Sequence, residues 1–387
     1  MSIIDLFFDK NTWEAFHTHL TDPERITRDA AATKTVTNII EDKIKVDFDF
    51  PAPRKKILKK YRNDKPRTVF TFPEPYQTYL KFLNWVILNN NIYINKFSRS
   101  AIAYIPGRSV NYNIKKVKKL FVNTPHYYKT DLKDFFNQIN QEKLRVEIKD
   151  FFAGDEKLIN FFNDLINIIP EGVGAGLPTA GLLANIYLTP LDKKMDHAKV
   201  IYFRYADDIL IMAKNKNKLS RDIDLFTSAL NERALRANEN KTDSGINEVT
   251  FLGVTINKHH IRISRKAVKK IKSSIRRRAH WFNYQFDKIG LKRTRRQLLR
   301  TYLRGINDKL YATGSESERG WVRWYSPLVI GAGDDEFKEI ELYLLKKCKE
   351  VGGKMSYDEL HKLGYKSLVR EHFKLKEAKT KEISLDL

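Results

Sequence analysis

Cysteine is almost missing: Cys348 is the only one in 387 residues. Disulfides within the chain are therefore excluded, as are zinc sites built on several cysteines. That usage fits a reducing cytoplasm. No apolar run approaches the ~20 residues that a membrane span requires. Residues 1–10 carry Asp5 and Asp9 where a secretory leader would be basic and then apolar. The expectation is a cytoplasmic protein with no membrane partner. Acids are the other shortage. Lys and Arg number 71 against 47 Asp and Glu, a net charge of +24. An excess of that size points to a polyanion, with nucleic acid ahead of an acidic membrane surface. The deficit is concentrated in residues 258–309, which hold 18 Lys or Arg and only Asp287 and Asp308 as acids. A solvated helix of mixed charge would interleave acids for pairing. So one-sided a stretch suits a backbone-binding surface.

What is present is enough to fold. Apolar residues make up 42% of the chain and aromatics 12%, and the length allows two or three domains. Residues 1–50 read as helix and loop, with Leu6, Phe7, Phe8, Trp13 and Phe16 on an amphipathic helix. A basic stretch, 54–67, leads into a short strand at 69–72, which Pro73 and Pro75 terminate. Apolar periodicity predicts a buried helix over 76–95. Pro106-Gly107 marks a turn, and Ser109 is a candidate N-cap for a helix through Lys119. A strand is expected at 126–132, a helix at 135–152 and a flexible glycine loop at 172–176. A buried helix follows at 179–194. Two β-rich runs, 200–203 and 209–212, flank a polar turn and predict a hairpin. Residues 219–238 read as helix, and 249–257 with 261–263 as a second hairpin. Helices over 264–287, 291–311 and 320–325 follow, with a domain boundary near Asn257. Gly331-Ala332-Gly333 is a linker signal, followed by two or three short helices.

The chemistry centres on Asp207 and Asp208, adjacent acids at the tip of the first hairpin. Side-by-side carboxylates repel, and burying them is costly. Divalent cations relieve that cost, and Mg2+ takes oxygen ligands from carboxylates and substrate phosphates. In-line nucleotidyl transfer often uses two such ions. A further ligand from another segment is then needed, and Asp131, at the end of the strand 126–132, is the candidate. Against this stands the bland reading, in which an Asp-Asp pair is an ordinary solvated turn.

Tyr205-Ala206-Asp207-Asp208 resembles the Tyr-x-Asp-Asp box of reverse transcriptases. Asp131 with Phe135-Phe136 resembles their first catalytic motif. Residues 172–188 resemble the loop and helix between those motifs in bacterial members. Tyr104-Ile105-Pro106-Gly107-Arg108-Ser109 resembles a fingers motif, 238–242 with Lys241 the next palm motif, and Phe251-Leu252-Gly253-Val254 the primer-grip hairpin. Six motifs in order cover 104–257. The resemblance implies an α+β, right-hand polymerase fold with fingers, a palm carrying an antiparallel sheet, and a helical thumb. It divides the chain into an N-terminal extension with fingers (1–122), a palm with interleaved fingers helices (123–257), a basic thumb (258–330) and a C-terminal helical extension (331–387).

The same resemblance implies roles. Asp131, Asp207 and Asp208, with the Leu132 carbonyl, would hold two Mg2+ ions, Mn2+ being a possible substitute. Lys60, Arg67, Phe136, Ala175 and Lys241 fall at nucleotide-contacting positions. Arg67 would grip the triphosphate, with Lys60 assisting or simply solvated. Phe136 is either a ring under the sugar that selects deoxynucleotides or a core aromatic. Lys241 would neutralise or protonate the leaving pyrophosphate. Arg108 either binds template phosphate or locks the fingers internally. Arg265, Lys269, Arg276 and Arg277 would bind nucleic-acid backbone. The implied partners are an RNA template, in particular a partner non-coding RNA in bacterial anti-phage defence, the DNA product and dNTPs. Template-independent or protein-primed synthesis, or a catalytically silent RNA-binding scaffold, are the alternatives. The sequence departs from the family where many members read Pro-Gln-Gly and this chain reads Gly174-Ala175-Gly176. A retron-type Asn-Ala-x-x-His element is replaced by Asn113-Ile114-Lys115-Lys116-Val117, which disfavours a standard retron enzyme and leaves a stand-alone bacterial reverse transcriptase.

Overall fold

The computed structural model describes residues 2–22, 29–58, 66–289, 295–311, 320–330, 334–353 and 355–375. Lys60 and the glycine linker 331–333 lie outside the described residues. The chain is α+β, with every pairing between named strands antiparallel. It divides into two compact units, Met1–Val110 with Asn123–Ile246, and Asn111–Val122 with Asn247–Leu387. That division falls ten residues or so before the expected boundary at Asn257. It also assigns 111–122 to the second unit; Ile114, Val117 and Phe121 are the buried residues of that segment.

The first unit begins with helices built on aromatic packing. Trp13 stacks on Phe82 at 3.8 Å between ring centres, and Phe7 meets Trp13, Tyr79 and Phe82 edge-on or tilted. Asp9 caps the helix Lys10–Thr21 and Asp29 caps Ala30–Ile40. The basic segment 54–67, read as an approach to one strand, supplies a strand of its own. Strand β1 (Arg54–Leu58) pairs with β2 (Arg67–Thr71), Arg54 opposite Thr71 and Leu58 opposite Arg67. All five β1 residues are exposed, so no apolar alternation marks it.

The helix expected over 76–95 is Tyr76–Leu88, and Asn90 caps a separate turn, Asn91–Ile94. The helix expected over 135–152 is likewise two pieces, Phe135–Gln138 and Gln141–Phe151. Asn140 starts the second by accepting from the Lys143 N–H at 2.9 Å. The helix Glu156–Ile168 was not anticipated, although Leu158, Ile159, Phe162, Leu165 and Ile166 form its buried stripe. A four-stranded sheet in the order β4-β5-β3-β6 is the centre of this unit. Its strands are β3 (His126–Asp131), β4 (Ile201–Tyr205), β5 (Asp208–Ala213) and β6 (Asp243–Ile246). The long helix Ala180–His197 is buried on most faces, including Leu182, Leu183, Asn185, Tyr187 and Asp192. Lys216–Glu232 ends earlier than the expected 238, with Ala234 at φ 54° turning the chain back toward β3.

In the second unit the run 249–257 is not one strand. Leu252 (φ 49°) and Gly253 (φ 82°) turn it back on itself, giving β7 (Glu248–Phe251) and β8 (Val254–Asn257), joined by β9 (Ile261–Ile263). A Cβ at Gly253 would collide with the Tyr325 hydroxyl, so the turn needs glycine for space as well as for φ. Helices Arg265–Ile289, Arg295–Tyr311 and Trp321–Tyr325 match the expected three closely. The next helix, Asp335–Gly352, is 18 residues rather than short. Ile271, Ile275, Leu299, Tyr302, Ile306, Phe337 and Leu344 form the shared core. No helix among the described residues is long and apolar enough to cross a membrane.

Candidate active site

The hairpin β4–β5 closes through two residues, Ala206 and Asp207, with Tyr205 opposite Asp208. Ala206 sits at φ 56°. Two-residue hairpin loops need such positive φ values and usually take Gly, Asn or Asp for them. An alanine there costs about 1–2 kcal/mol, and strain of this kind collects at functional sites. On the other side of β5, β3 runs antiparallel and places Asp131 directly opposite Asp208. Opposed residues on antiparallel strands point to the same face, where like charges destabilise one another. The Leu132 N–H donates to the Asp207 carbonyl at 3.1 Å and ties the two segments past the strand end.

Asp131 is buried, at 6% exposure. Its Oδ1 is buried with no hydrogen-bond partner among the described residues, and its Oδ2 pairs with the Lys241 ammonium. Lys241 is brought there by the chain after the helix Lys216–Glu232. That segment runs back along β3, with Lys133 N–H donating to Arg236 O at 3.1 Å and Asn238 N–H to Asp131 O at 2.8 Å. Burial raises the Asp207 carboxyl above its usual range, Asp131 raises it further, and the charges of Lys241 and Arg67 oppose the shift. Asp208 is pushed up to about 6, first by burial and then by Asp207 and Asp131. Each shift reflects burial first and mutual repulsion second, with no full counter-charge to offset them.

No three acidic, histidine or cysteine side chains among the described residues are already drawn together as an ion's ligand set. The donor chemistry nevertheless fits a hard divalent cation. All three groups are carboxylates, one buried oxygen is orphaned, and among the described residues the cation in salt-bridge contact with them is an exposed lysine, Lys241.

Arg67 is exposed at the start of β2, and its charge reaches Asp207. Phe136 is partly buried, its ring edge-on to Tyr104 at 6.2 Å. Tyr104, which the sequence places in the fingers motif without a role of its own, lies at φ 61° with its ring against Gly181, where a Cβ would come within 2.6 Å of it. Its signal was the Tyr-Ile-Pro-Gly turn itself. The loop 172–176, expected to be flexible, is instead pinned by its backbone. Val173 N–H donates to Phe136 O at 3.0 Å, and Phe70 N–H to Ala175 O at 2.7 Å. A Cβ at Gly172 would overlap the Phe136 carbonyl. Ala175 joins this grip through its carbonyl.

Arg108 is engaged within the fold: its guanidinium donates to the carbonyls of Phe97, Ser98 and Ala101. In the second unit Arg265, Lys269, Arg276 and Arg277 are all exposed on the helix Arg265–Ile289. Arg265 is engaged by Glu339 at 3.4 Å. Sequence reading also passed over Arg204, which is fully buried beside the hairpin turn.

A family model described as "Reverse transcriptase (RNA-dependent DNA polymerase)" matches residues 59–256. The Retron Ec73 reverse transcriptase of Escherichia coli is 26% identical over 167 residues, covering 40% of this chain and 52% of that protein. The Retron Ec86 enzyme of the same organism is 26% identical over 155 residues, covering 38% and 47%. The chain thus spans about half the length of the curated relatives it matches. Among solved structures, apo telomerase from Candida tropicalis superposes with a TM-score of 0.44 at 14% identity, covering 83% of this chain and 65% of that one.

Proposed function

The chain belongs to the reverse transcriptase family, and on that premise we propose that it is an RNA-directed DNA polymerase centred on Asp131, Asp207 and Asp208. The observation that carries this reading is the β3–β5 register, which sets Asp131 opposite Asp208 beside the strained turn. The reaction is attack by a primer 3′-hydroxyl on the α-phosphorus of a dNTP, forming one phosphodiester bond and releasing pyrophosphate. Two divalent ions held by the three aspartates, when bound, supply charge neutralisation at the attacking and leaving oxygens.

The chain's own residues do the rest. Arg67 meets the triphosphate with charge-assisted hydrogen bonds. Lys241, already a counter-charge to Asp131, serves the leaving pyrophosphate. Phe136, held by Tyr104, forms a wall against the 2′ position of the incoming sugar. The exposed cations of Arg265–Ile289 bind nucleic-acid backbone without regard to sequence. The motif resemblance extends the reading to a partner non-coding RNA as template and to anti-phage defence; the relatives from Escherichia coli support the reverse-transcriptase reading itself.

Incubation with labelled dNTPs and Mg2+, with and without RNase, tests the reading. Product that disappears with the RNA supports it. Product that survives RNase and stays covalently on the protein points to protein priming, and no product at all to a silent scaffold. The double variant Asp207→Ala with Asp208→Ala is expected to lose incorporation while binding RNA within about twofold of wild type, since phosphate contacts supply most of that affinity. Full polymerisation by this variant would remove the assignment. Sequencing co-purified nucleic acid names the template and the product.

A further inference from the structure

Arg204 occupies an unusual place for a cation. It is 0% exposed, in mid-strand between Phe203 and Tyr205. Its backbone is held on the side of β4 away from β5, with Arg204 N–H donating to Ser100 O at 2.9 Å and Ile102 N–H to Arg204 O at 2.8 Å. Its side chain reaches two elements. Nε and Nη2 meet the two carboxylate oxygens of Asp192 at 2.9 and 2.6 Å, and Nη1 donates to Asn185 Oδ1 at 3.0 Å, both on the buried helix Ala180–His197. The same Nη1 donates to the Ala206 carbonyl at 3.3 Å. Around this fork the remaining polar atoms are matched: Tyr202 OH donates to Asp192 Oδ1 at 3.1 Å, and Asn185 Nδ2 to Ala103 O at 2.9 Å. Asp192 and Asn185 are each 1% exposed.

The Ala206 carbonyl belongs to the peptide that joins Ala206 to Asp207. It is the same turn in which Ala206 is forced to φ 56°. A strained turn persists only when its surroundings over-determine it. A buried ion pair adds little net stability over a well-packed apolar replacement. Stability alone therefore gives no reason for a guanidinium here. Its fork geometry does, because it spans a carboxylate, an amide and a turn carbonyl at once, which a lysine ammonium on a longer flexible stem does not reproduce.

We infer that Arg204, seated on Asp192 and Asn185, is a positioning residue that clamps the Ala206–Asp207 peptide and so sets the placement of Asp207 and Asp208 relative to Asp131. This rests on the polymerase reading of the three aspartates. The clamp acts on divalent-ion binding and turnover, and leaves nucleotide and RNA affinity to other residues.

Two variants test it. Arg204→Lys keeps the buried charge beside Asp192 and loses the fork. The combination Arg204→Met, Asp192→Leu and Tyr202→Phe removes charge and partners together, so that no buried ion is left unpaired. Folding is checked by circular dichroism and thermal melting. In both variants the Mg2+ concentration giving half-maximal incorporation is expected to rise about 10- to 100-fold, the usual cost of losing an outer-shell support. kcat falls with it, while KM for dNTP and RNA affinity stay within about twofold of wild type because those contacts are made elsewhere. The upward melting shift that Mn2+ produces in the wild type is expected to shrink in parallel. Either variant, folded and showing wild-type Mg2+ dependence, kcat and Mn2+ shift, overturns the inference. Should the wild type make no DNA at all, the polymerase reading fails. The clamp is then judged on Mn2+ alone: weaker binding in a folded variant sustains it, and equal binding ends it.

Discussion

The two units treat crowded like charge in opposite ways. In the first, three carboxylates converge on one strand end, Asp131 buried and Asp207 and Asp208 half-buried. In the second, cations are spread along the outside of one helix, Arg265–Ile289. Glu339, on another helix, meets two of them, Arg265 and Lys272. Water and salt relieve the second arrangement, and it suits any polyanion of loose spacing. Burial prevents that relief in the first, so proton affinity rises and a compact hard cation becomes the fitting partner. On the function proposed above, one region selects an ion and the other accepts a backbone.

The largest expected effect breaks the first region alone. Asp131→Asn should reduce incorporation about 1,000-fold or more, the scale of several kcal/mol of lost transition-state stabilisation. RNA affinity and its salt dependence should be unchanged in filter-binding titrations. A parallel fall in RNA affinity would mean that the two regions are not separable.

The next effect breaks the second region alone. Lys269→Glu with Arg276→Glu should weaken RNA binding about 10- to 100-fold near physiological salt. The slope of log affinity against log salt should flatten by about 0.7–0.9 per lost phosphate contact. Both residues are exposed, so melting temperature should hold. A slope identical to wild type would strip this helix of its assigned role.

A smaller effect measures the cost of burial and repulsion together in metal-free protein. The folded Asp208 carboxyl is raised to about 6, so its ionisation above that pH costs stability that the unfolded chain does not lose. Asp208→Asn should therefore be more stable by about 1 kcal/mol at pH 7, discounted from the full shift for partial exposure. The gain should shrink as pH falls through about 6 and vanish below about 4, where both folded and unfolded carboxyls are protonated. Denaturant melts at three pH values would show it, and a pH-independent difference would contradict the cause given. Added Mg2+ should narrow the gap by stabilising the wild type more.

The smallest concerns Lys241. Its side chain is 61% exposed, so Lys241→Met should change stability by no more than about 0.5 kcal/mol. A fall of tenfold or more in kcat beside so slight a thermal effect would assign the lysine to chemistry. Equal small changes in both would make it a surface ion pair only.

Much of the first region was legible beforehand. The strand 126–131, the hairpin around Ala206-Asp207 and the buried helix after the glycine loop all carry strong local signals: β-rich runs, a tight polar turn between them, apolar residues on nearly every face. Other elements escaped for physical reasons. Strand β1 is exposed along its length and alternates nothing. The strand run 249–257 hid a reversal at Leu252, a residue that seldom adopts positive φ. Arg108 had two uses open to it, and nothing in the sequence showed that the carbonyls of Phe97, Ser98 and Ala101 would lie within its reach. Arg204 looked like one more cation in a basic chain.

Read alone, the order of residues determined where the acids, the glycines and the basic helix fall, and which segments prefer strand or helix, because those preferences act over a few neighbouring residues. Tertiary structure decided which charges are spent inside and which face outward. It put Asp131 against Lys241, Arg204 under the turn, and Gly172 on the Phe136 carbonyl. Burial and pairing depend on the approach of segments far apart in the chain, and no local periodicity encodes that approach.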